Sequence, residues 1–328
     1  MSFKNKFILV TLSASLALYA VIGGLLSTRA QPQNDPGTQL RIFESVLQHI
    51  QHDYVDEPNL EKVRAGALRG LADGLDPYST YLTPEQVANY QKKDASQVGI
   101  GAELSQVQSF LYVVSAAKGS PAELAGIRAG DTIEYIDGKA TRDISLYDAY
   151  QLLNGAPGSE VKLRVIRAPR PLTINVRRAA FKPAPPELLI ESDKIGVIRV
   201  NNLAEGAAVA LQTRLEDVIK QGCQKVVLDL RNVAGGSLNE AIKVANFFIK
   251  DGVIAKTIGR ENKVINTFTA DPQKKIFDGQ LVAIIDPSTA GPGEVIASAL
   301  IENKRGSVVG EKSFGAGTEQ SLFTLRDG

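Results

Sequence analysis

The chain has 328 residues, 44% of them hydrophobic and 22% charged, and a formal net charge of +1. That length allows two or three globular domains, and a balanced charge with no basic run argues against nucleic acid as a partner. A single cysteine, Cys223, excludes an internal disulfide. The two histidines, His49 and His52, share one amphipathic stretch, so they bring no metal-ligand set and leave no Ser-His-Asp triad in the body of the chain. No metal or cofactor is expected.

Lys4 and Lys6 precede an apolar stretch from Phe7 to Leu26, and Thr28-Arg29-Ala30 can serve as a cleavage site. The stretch is also long enough to span a bilayer. Residues 1–30 therefore read as a signal peptide or a membrane anchor. Export is expected, to the periplasm or to the outer side of a membrane. Residues 31–94 read as a helical region behind a short linker, Gln31 to Gly37. Ile42, Val46, Leu47 and Ile50 recur on one face of a helix from Leu40 to Tyr54. Asn59 caps a second helix, and Pro84 opens a third. Read alone, these are a small helical bundle.

Residues 95–182 form the clearest module. In GSPAELAGIRAGDTIEYIDG (Gly119 to Gly138), Ser120 caps a short helix begun by Pro121. Gly130-Asp131 turns into a strand over Thr132–Ile136, and Asp137-Gly138 makes a hairpin turn. A helix follows over Leu146–Leu153, then a strand from Val161 to Arg167. This order resembles a PDZ domain. The resemblance assigns Val98, Gly99, Ile100, Gly101 and Ala102 to a loop whose backbone N–H groups capture a peptide's terminal carboxylate. The peptide then lies as an added strand, in a groove that Ile100 and Leu152 could make apolar.

Residues 183–328 read as an α/β core. IGVIRV (Ile195 to Val200) and Val226–Leu230 are strands, and Leu281–Ile285 is a short apolar run. Asp286-Pro287-Ser288-Thr289 breaks that run, a helical pattern follows, and Ser307–Gly310 is another strand. Strand, turn, helix, strand is a βαβ unit, whose ligands gather where strands end and helices begin.

The stretch LVAIIDPSTAGPGEVIASALIENKRGSVVGEKSFGAGTEQ resembles the C-terminal processing (tail-specific) serine peptidases. It matches them at Thr289, Ala290, Glu294, Gly310, Glu311, Ser313, Phe314, Gly315, Gly317, Thr318 and Gln320. Asp229-Leu230-Arg231-Asn232-Val233-Ala234-Gly235-Gly236 is similar to the family's oxyanion loop, with Val233-Ala234 in place of Asn-Pro. Tyr54-Val55-Asp56, Gly66-Ala67 and Leu75 to Leu82 also look like the family's N-terminal region. The resemblance implies a multidomain α/β protein with N-terminal helices, a PDZ domain and a βαβ-based peptidase-like core. It also implies that Gly291 holds the nucleophile position and Ala316, 25 residues on, the lysine-base position. Gln320 would orient that lysine, and Gly235 or Gly236 would supply an oxyanion donor.

Glycine has no side-chain oxygen and alanine no amine, so neither half of a Ser–Lys dyad is intact. Pro292 removes the N–H that the family takes from the residue after its serine. Ser288 and Thr289 could act as substitute nucleophiles, but capping the following helix is their commoner role. Lys312 lies too far from Ala316 along an extended segment to replace the base. The leading expectation is an exported, inert or impaired member of the family that binds protein C-termini or unfolded chains. Alternatives are an active serine endopeptidase with an unusual nucleophile, and a non-catalytic subunit that pairs with an active homologue. The family continues beyond Asp327-Gly328 with further strands, whose absence would leave an exposed sheet edge.

Overall fold

The computed structural model describes Leu18 and residues 35–92, 98–191 and 194–325. The apolar stretch read as a signal peptide or anchor lies outside the described residues except for Leu18, which is helical and exposed. No helix among the described residues is long and apolar enough to cross a membrane.

The chain divides into two compact units, residues 1–67 and 68–328. In the first, α1 (Pro36–Asp53) starts four positions before the apolar periodicity does. Asp35 accepts the Thr38 N–H, and Pro36 supplies a pre-set first residue. Asn59 caps α2 (Leu60–Asp73) through the Lys62 N–H at 2.9 Å. Neither helix has a buried residue, so a bundle core is absent among the described residues of this unit.

The second unit opens with α3 (Pro84–Lys92), where Thr83 and Gln86 exchange side-chain and backbone bonds in a capping box. A β-rich module follows, comprising β1 (Ala102–Val107), β2 (Phe110–Ala116), α4 (Pro121–Leu124), β3 (Thr132–Ile136), β4 (Lys139–Ala140), α5 (Leu146–Leu153), β5 (Glu160–Arg167) and β6 (Arg170–Arg177). The sheet runs β1-β2-β3-β5-β6, with β4 paired to β3. Leu111, Ile127, Ile133, Ile136, Leu153 and Leu163 fill its core. Asp137 and Gly138 both have positive φ, as the expected hairpin turn requires. Pro171 lies inside β6, which it can do because β6 is an edge strand.

The α/β core has β7 (Glu187–Glu191), β8 (Ile195–Arg199), α6 (Ala207–Lys220), β9 (Lys225–Asp229), α7 (Leu238–Asn246), β10 (Val253–Ile258), β11 (Val264–Thr269), β12 (Gln280–Ile285), α8 (Pro292–Glu302) and β13 (Ser307–Gly310). Its sheet runs β13-β12-β9-β8-β7, parallel except for β7. β10 and β11 form a separate hairpin that the sequence reading did not foresee. Ile198, Leu228, Leu211, Leu215 and Phe248 are among the side chains buried between sheet and helices. Gly196 is required by close packing, since a Cβ there would stand 2.7 Å from Val218. β9 and β12 are neighbours in register. The loops leaving their carboxyl ends therefore lie side by side, at the usual position of an α/β site.

Candidate active site

Three loops meet at that edge. The loop after β9 is tied to the loop after β12 by Ala290 N–H to the Val233 carbonyl and Asn232 N–H to Asp286 Oδ1. The segment after β13 joins them through Phe314 N–H to the Thr289 carbonyl. Gly293 permits the close approach, because a Cβ there would fall 2.6 Å from the Val233 carbonyl oxygen.

Gly291 occupies the bend between β12 and α8 with φ 49° and ψ −112°. This is a strained elbow for any residue with a Cβ, and it aims position 291 at the other loops. A Cβ on Gly291 would lie 3.5 Å from the Ala234 carbonyl oxygen and 3.8 Å from that of Ala316. The positions read as nucleophile and base are thus brought together, beside the loop read as the oxyanion donor. What faces inward is apolar. Val114 of β2 packs with Ala234 and Ala290, and Tyr112, Phe314 and Ala316 lie against them. The Tyr112 and Phe314 rings are stacked at 5.9 Å.

Glu294, in the first turn of α8, holds this arrangement. One carboxylate oxygen accepts the Gly291 N–H at 2.8 Å and the Ala316 N–H at 2.9 Å, and the other accepts Gly315 N–H at 2.6 Å. A single side chain therefore fixes both Gly291 and Ala316. Asn232, in the left-handed region, donates to the Ala116 carbonyl of β2 and so ties the loop after β9 to the PDZ-like module. Below it, burial alone would raise the Asp229 carboxyl. Arg231 and Arg199 outweigh that effect and hold it below the usual range.

Several expectations need correction. Ser288 and Thr289 do not cap α8, whose first free N–H is met by Glu294. Thr289 is fully buried, with its hydroxyl donating to the Leu230 carbonyl and accepting from Asp286 N–H, so it pins the loop. Ser288 is also buried. Gln320 turns to another task, its amide donating to the Tyr78 carbonyl at 2.6 Å. Ile100 lies in the core of the β-rich module and does not line a groove, and Leu152 is only partly buried against that core. Neither Gly235 nor Gly236 donates its N–H to an acceptor among the described residues. Gly236 adopts φ 131° against Leu203, where a side chain would collide.

The loop over Val98 to Ala102 is held by its ends and carbonyls. Val98 pairs with Gly155, Ile100 O accepts from Ala122, and Gly101 O accepts from Ala117. The N–H groups of Gly99, Ile100 and Gly101 donate to no acceptor among the described residues. Gly101 has φ 74°, and a Cβ there would meet Phe181 and Ser120 at 2.5 Å, so no other residue fits. Past this loop, Glu103 projects into a cleft of about 170 Å³ lined also by Ala102, Asn202, Gly235 and Gly236. Its carboxylate reaches Gly235 so closely that a Cβ on that glycine would stand 2.8 Å away. The surrounding protein pushes the Glu103 carboxyl up to about 6. Among the described residues no group of three or more His, Cys, Asp or Glu side chains could hold a metal ion.

A PDZ module beside an α/β core with a strand-to-helix elbow defines a peptidase-like architecture. Comparison with known proteins identifies it further. Residues 194–328 match peptidase family S41 and residues 112–167 match the PDZ domain. Carboxy-terminal processing protease CtpA of Bacillus subtilis is 30% identical over 325 residues, which cover 98% of this chain and 70% of that protein. "Probable CtpA-like serine protease" of Staphylococcus aureus (strain MRSA252) is 33% identical over 293 residues, 88% of this chain and 59% of that protein. The solved photosystem II D1 C-terminal processing protease superposes with a TM-score of 0.75 at 27% identity, covering 87% of this chain and 78% of its own. The chain belongs to the carboxy-terminal processing serine proteases of family S41, and carries their PDZ domain. It spans less than two thirds of the length of the staphylococcal relative.

Proposed function

We propose that this chain is a catalytically inert or severely impaired member of its family that binds the C-terminal tails of proteins or unfolded polypeptides through its PDZ domain. The observation that carries the reading is the elbow. Gly291 offers no hydroxyl, Pro292 no N–H and Ala316 no amine, and a Cβ on Gly291 would lie only 3.8 Å from the Ala316 carbonyl oxygen. Thr289 is too buried and too fully engaged to serve in place of a serine. The reading of tail binding is supported by the N–H groups of Gly99, Ile100 and Gly101, which donate to no acceptor among the described residues.

Tail binding then depends on that carboxylate. A fluorescein-labelled decapeptide ending in Ala-Ala-Val is expected to bind the full chain with saturation. Amidation of its C-terminus should weaken binding about tenfold or more, since hydrogen bonds to a charged group contribute about 1.5–3 kcal/mol. Equal affinity of acid and amide in a fluorescence-polarisation titration would refute this mode. A non-catalytic subunit that pairs with an active homologue would bind tails in the same way.

Export to the cell envelope belongs to the same proposal and is supported by Lys4, Lys6 and the apolar run that follows them. A reporter enzyme fused after Gln33 is expected to be active outside the cytoplasm. Full retention inside would contradict the assignment.

A further inference from the structure

If the PDZ domain takes tails as proposed, the groove contains its own occupant. β1 pairs with β2 on one side only, and its other edge faces α5. An added peptide strand needs the N–H and carbonyl groups of that free edge. Leu104 lies two residues beyond the first residue of β1, so the N–H nearest the carboxylate loop on that edge is its own. It is already taken. The Leu104 N–H donates to the Tyr150 hydroxyl of α5 at 3.0 Å. Two side chains of β1 are engaged as well: Ser105 Oγ meets the Tyr78 hydroxyl at 3.0 Å, and the Gln106 amide donates to the Ile144 carbonyl. The Tyr150 ring packs against the module's core.

We propose that the Tyr150 hydroxyl stands in for the backbone carbonyl of a bound tail, so that a tail must displace Tyr150 from Leu104 before it can pair with β1. The exchange conserves hydrogen bonds. One N–H···O contact, to a phenol, is replaced by another, to a peptide carbonyl. What the tail loses is the net value of the contact it must break. Burial, with Glu103 nearby, raises the Tyr150 phenol, so the hydroxyl that occupies the edge stays protonated.

The test is Tyr150→Phe in the full chain, which keeps the ring and removes the competing oxygen. With the decapeptide ending in Ala-Ala-Val, the variant is expected to bind about fivefold more tightly than the parent, the scale of one neutral hydrogen bond. Hydrogen exchange supplies an independent readout. In the free protein the Leu104 amide should exchange faster in the variant than in the parent, and saturating peptide should protect it equally in both. Unchanged affinity in the variant, with the acid form still favoured over the amide, would overturn the displacement but leave tail binding intact. No saturable binding by either protein would end both. A Leu104 amide that peptide fails to protect in either protein would also overturn the proposal.

Discussion

If the inert reading proposed above holds, Gly291→Ser, Pro292→Ala and Ala316→Lys together are expected to give this chain a peptidase rate far above the parent's. The elbow leaves room for the serine, because a Cβ at 291 would make only ordinary contacts, at 3.5 Å to Ala234 O and 3.8 Å to Ala316 O. The backbone there is the cost. A φ of 49° with ψ −112° strains any residue but glycine by about 1–3 kcal/mol. A following proline further narrows what a serine at 291 can adopt, so Pro292→Ala relieves the strain as well as restoring a donor. The lysine would enter the apolar surroundings of Val114, Ala234, Ala290 and Phe314. Desolvation there lowers a lysine's pKa toward the range of a general base.

The double mutant that keeps Pro292 tests the donor separately. Loss of one oxyanion donor costs about 2.7–4 kcal/mol, a factor of about 10²–10³. Release of a fluorescent product should therefore be absent in the parent, weak in the double mutant and about 10²-fold faster in the triple mutant. A parent as fast as the triple mutant would refute the inert reading. Three flat traces would show that Val233-Ala234, in place of the family's Asn-Pro, has dismantled the oxyanion loop too.

The parts of the fold that follow local rules were legible in the sequence. Ser120, Asn59 and Pro84 start helices where their cap and first-turn chemistry predicts, and Asp137-Gly138 turns where its φ preferences predict. That the loops after β12 and β13 share one edge follows from the βαβ unit, which returns β13 beside β12; the pairing of Gly291 with Ala316 came only from the family resemblance. What escaped was made by side chains whose partners are remote in sequence. Asn232 bonds to Ala116, 116 residues away, and Gln320 to Tyr78 at a separation of 242. No periodicity encodes such pairs. Thr289 was misread for a related reason. A Thr before a helix satisfies a local capping rule, but the Leu230 carbonyl, just past the end of β9, claims its hydroxyl first. Ile100 was misplaced because a glycine-flanked apolar residue in a loop looks the same in sequence whether it lines a groove or fills a core.

Glu294→Ala is expected to loosen the site more than any other single change in it. The carboxylate receives three backbone N–H groups, from Gly291, Gly315 and Ala316. Alanine leaves all three without that acceptor. Hydrogen bonds to a charged acceptor contribute about 1.5–3 kcal/mol each. They are coupled here, and Glu294 is only half-buried, so the expected total is about 2–4 kcal/mol, measured by urea unfolding of the full chain. Glu294→Gln should fall between, because its single carbonyl oxygen can accept while its NH₂ group opposes a backbone N–H. Hydrogen exchange then locates the loss. The amides of Gly315 and Ala316 should lose protection, while those of β9 and β12 keep theirs. Placed in the triple mutant, Glu294→Ala should also reduce the gained peptidase rate by about 10²-fold. Serine and lysine would then be held by separate loops with no common anchor, and a displacement of about 1 Å is enough for a loss of that size. An alanine variant as stable as the parent, with Gly315 and Ala316 still protected, would mean that backbone pairing alone fixes these loops. In that case the backbone bonds from Phe314 N–H to the Thr289 carbonyl, Ala290 N–H to the Val233 carbonyl and Glu311 N–H to the Ile285 carbonyl are among those left to do it.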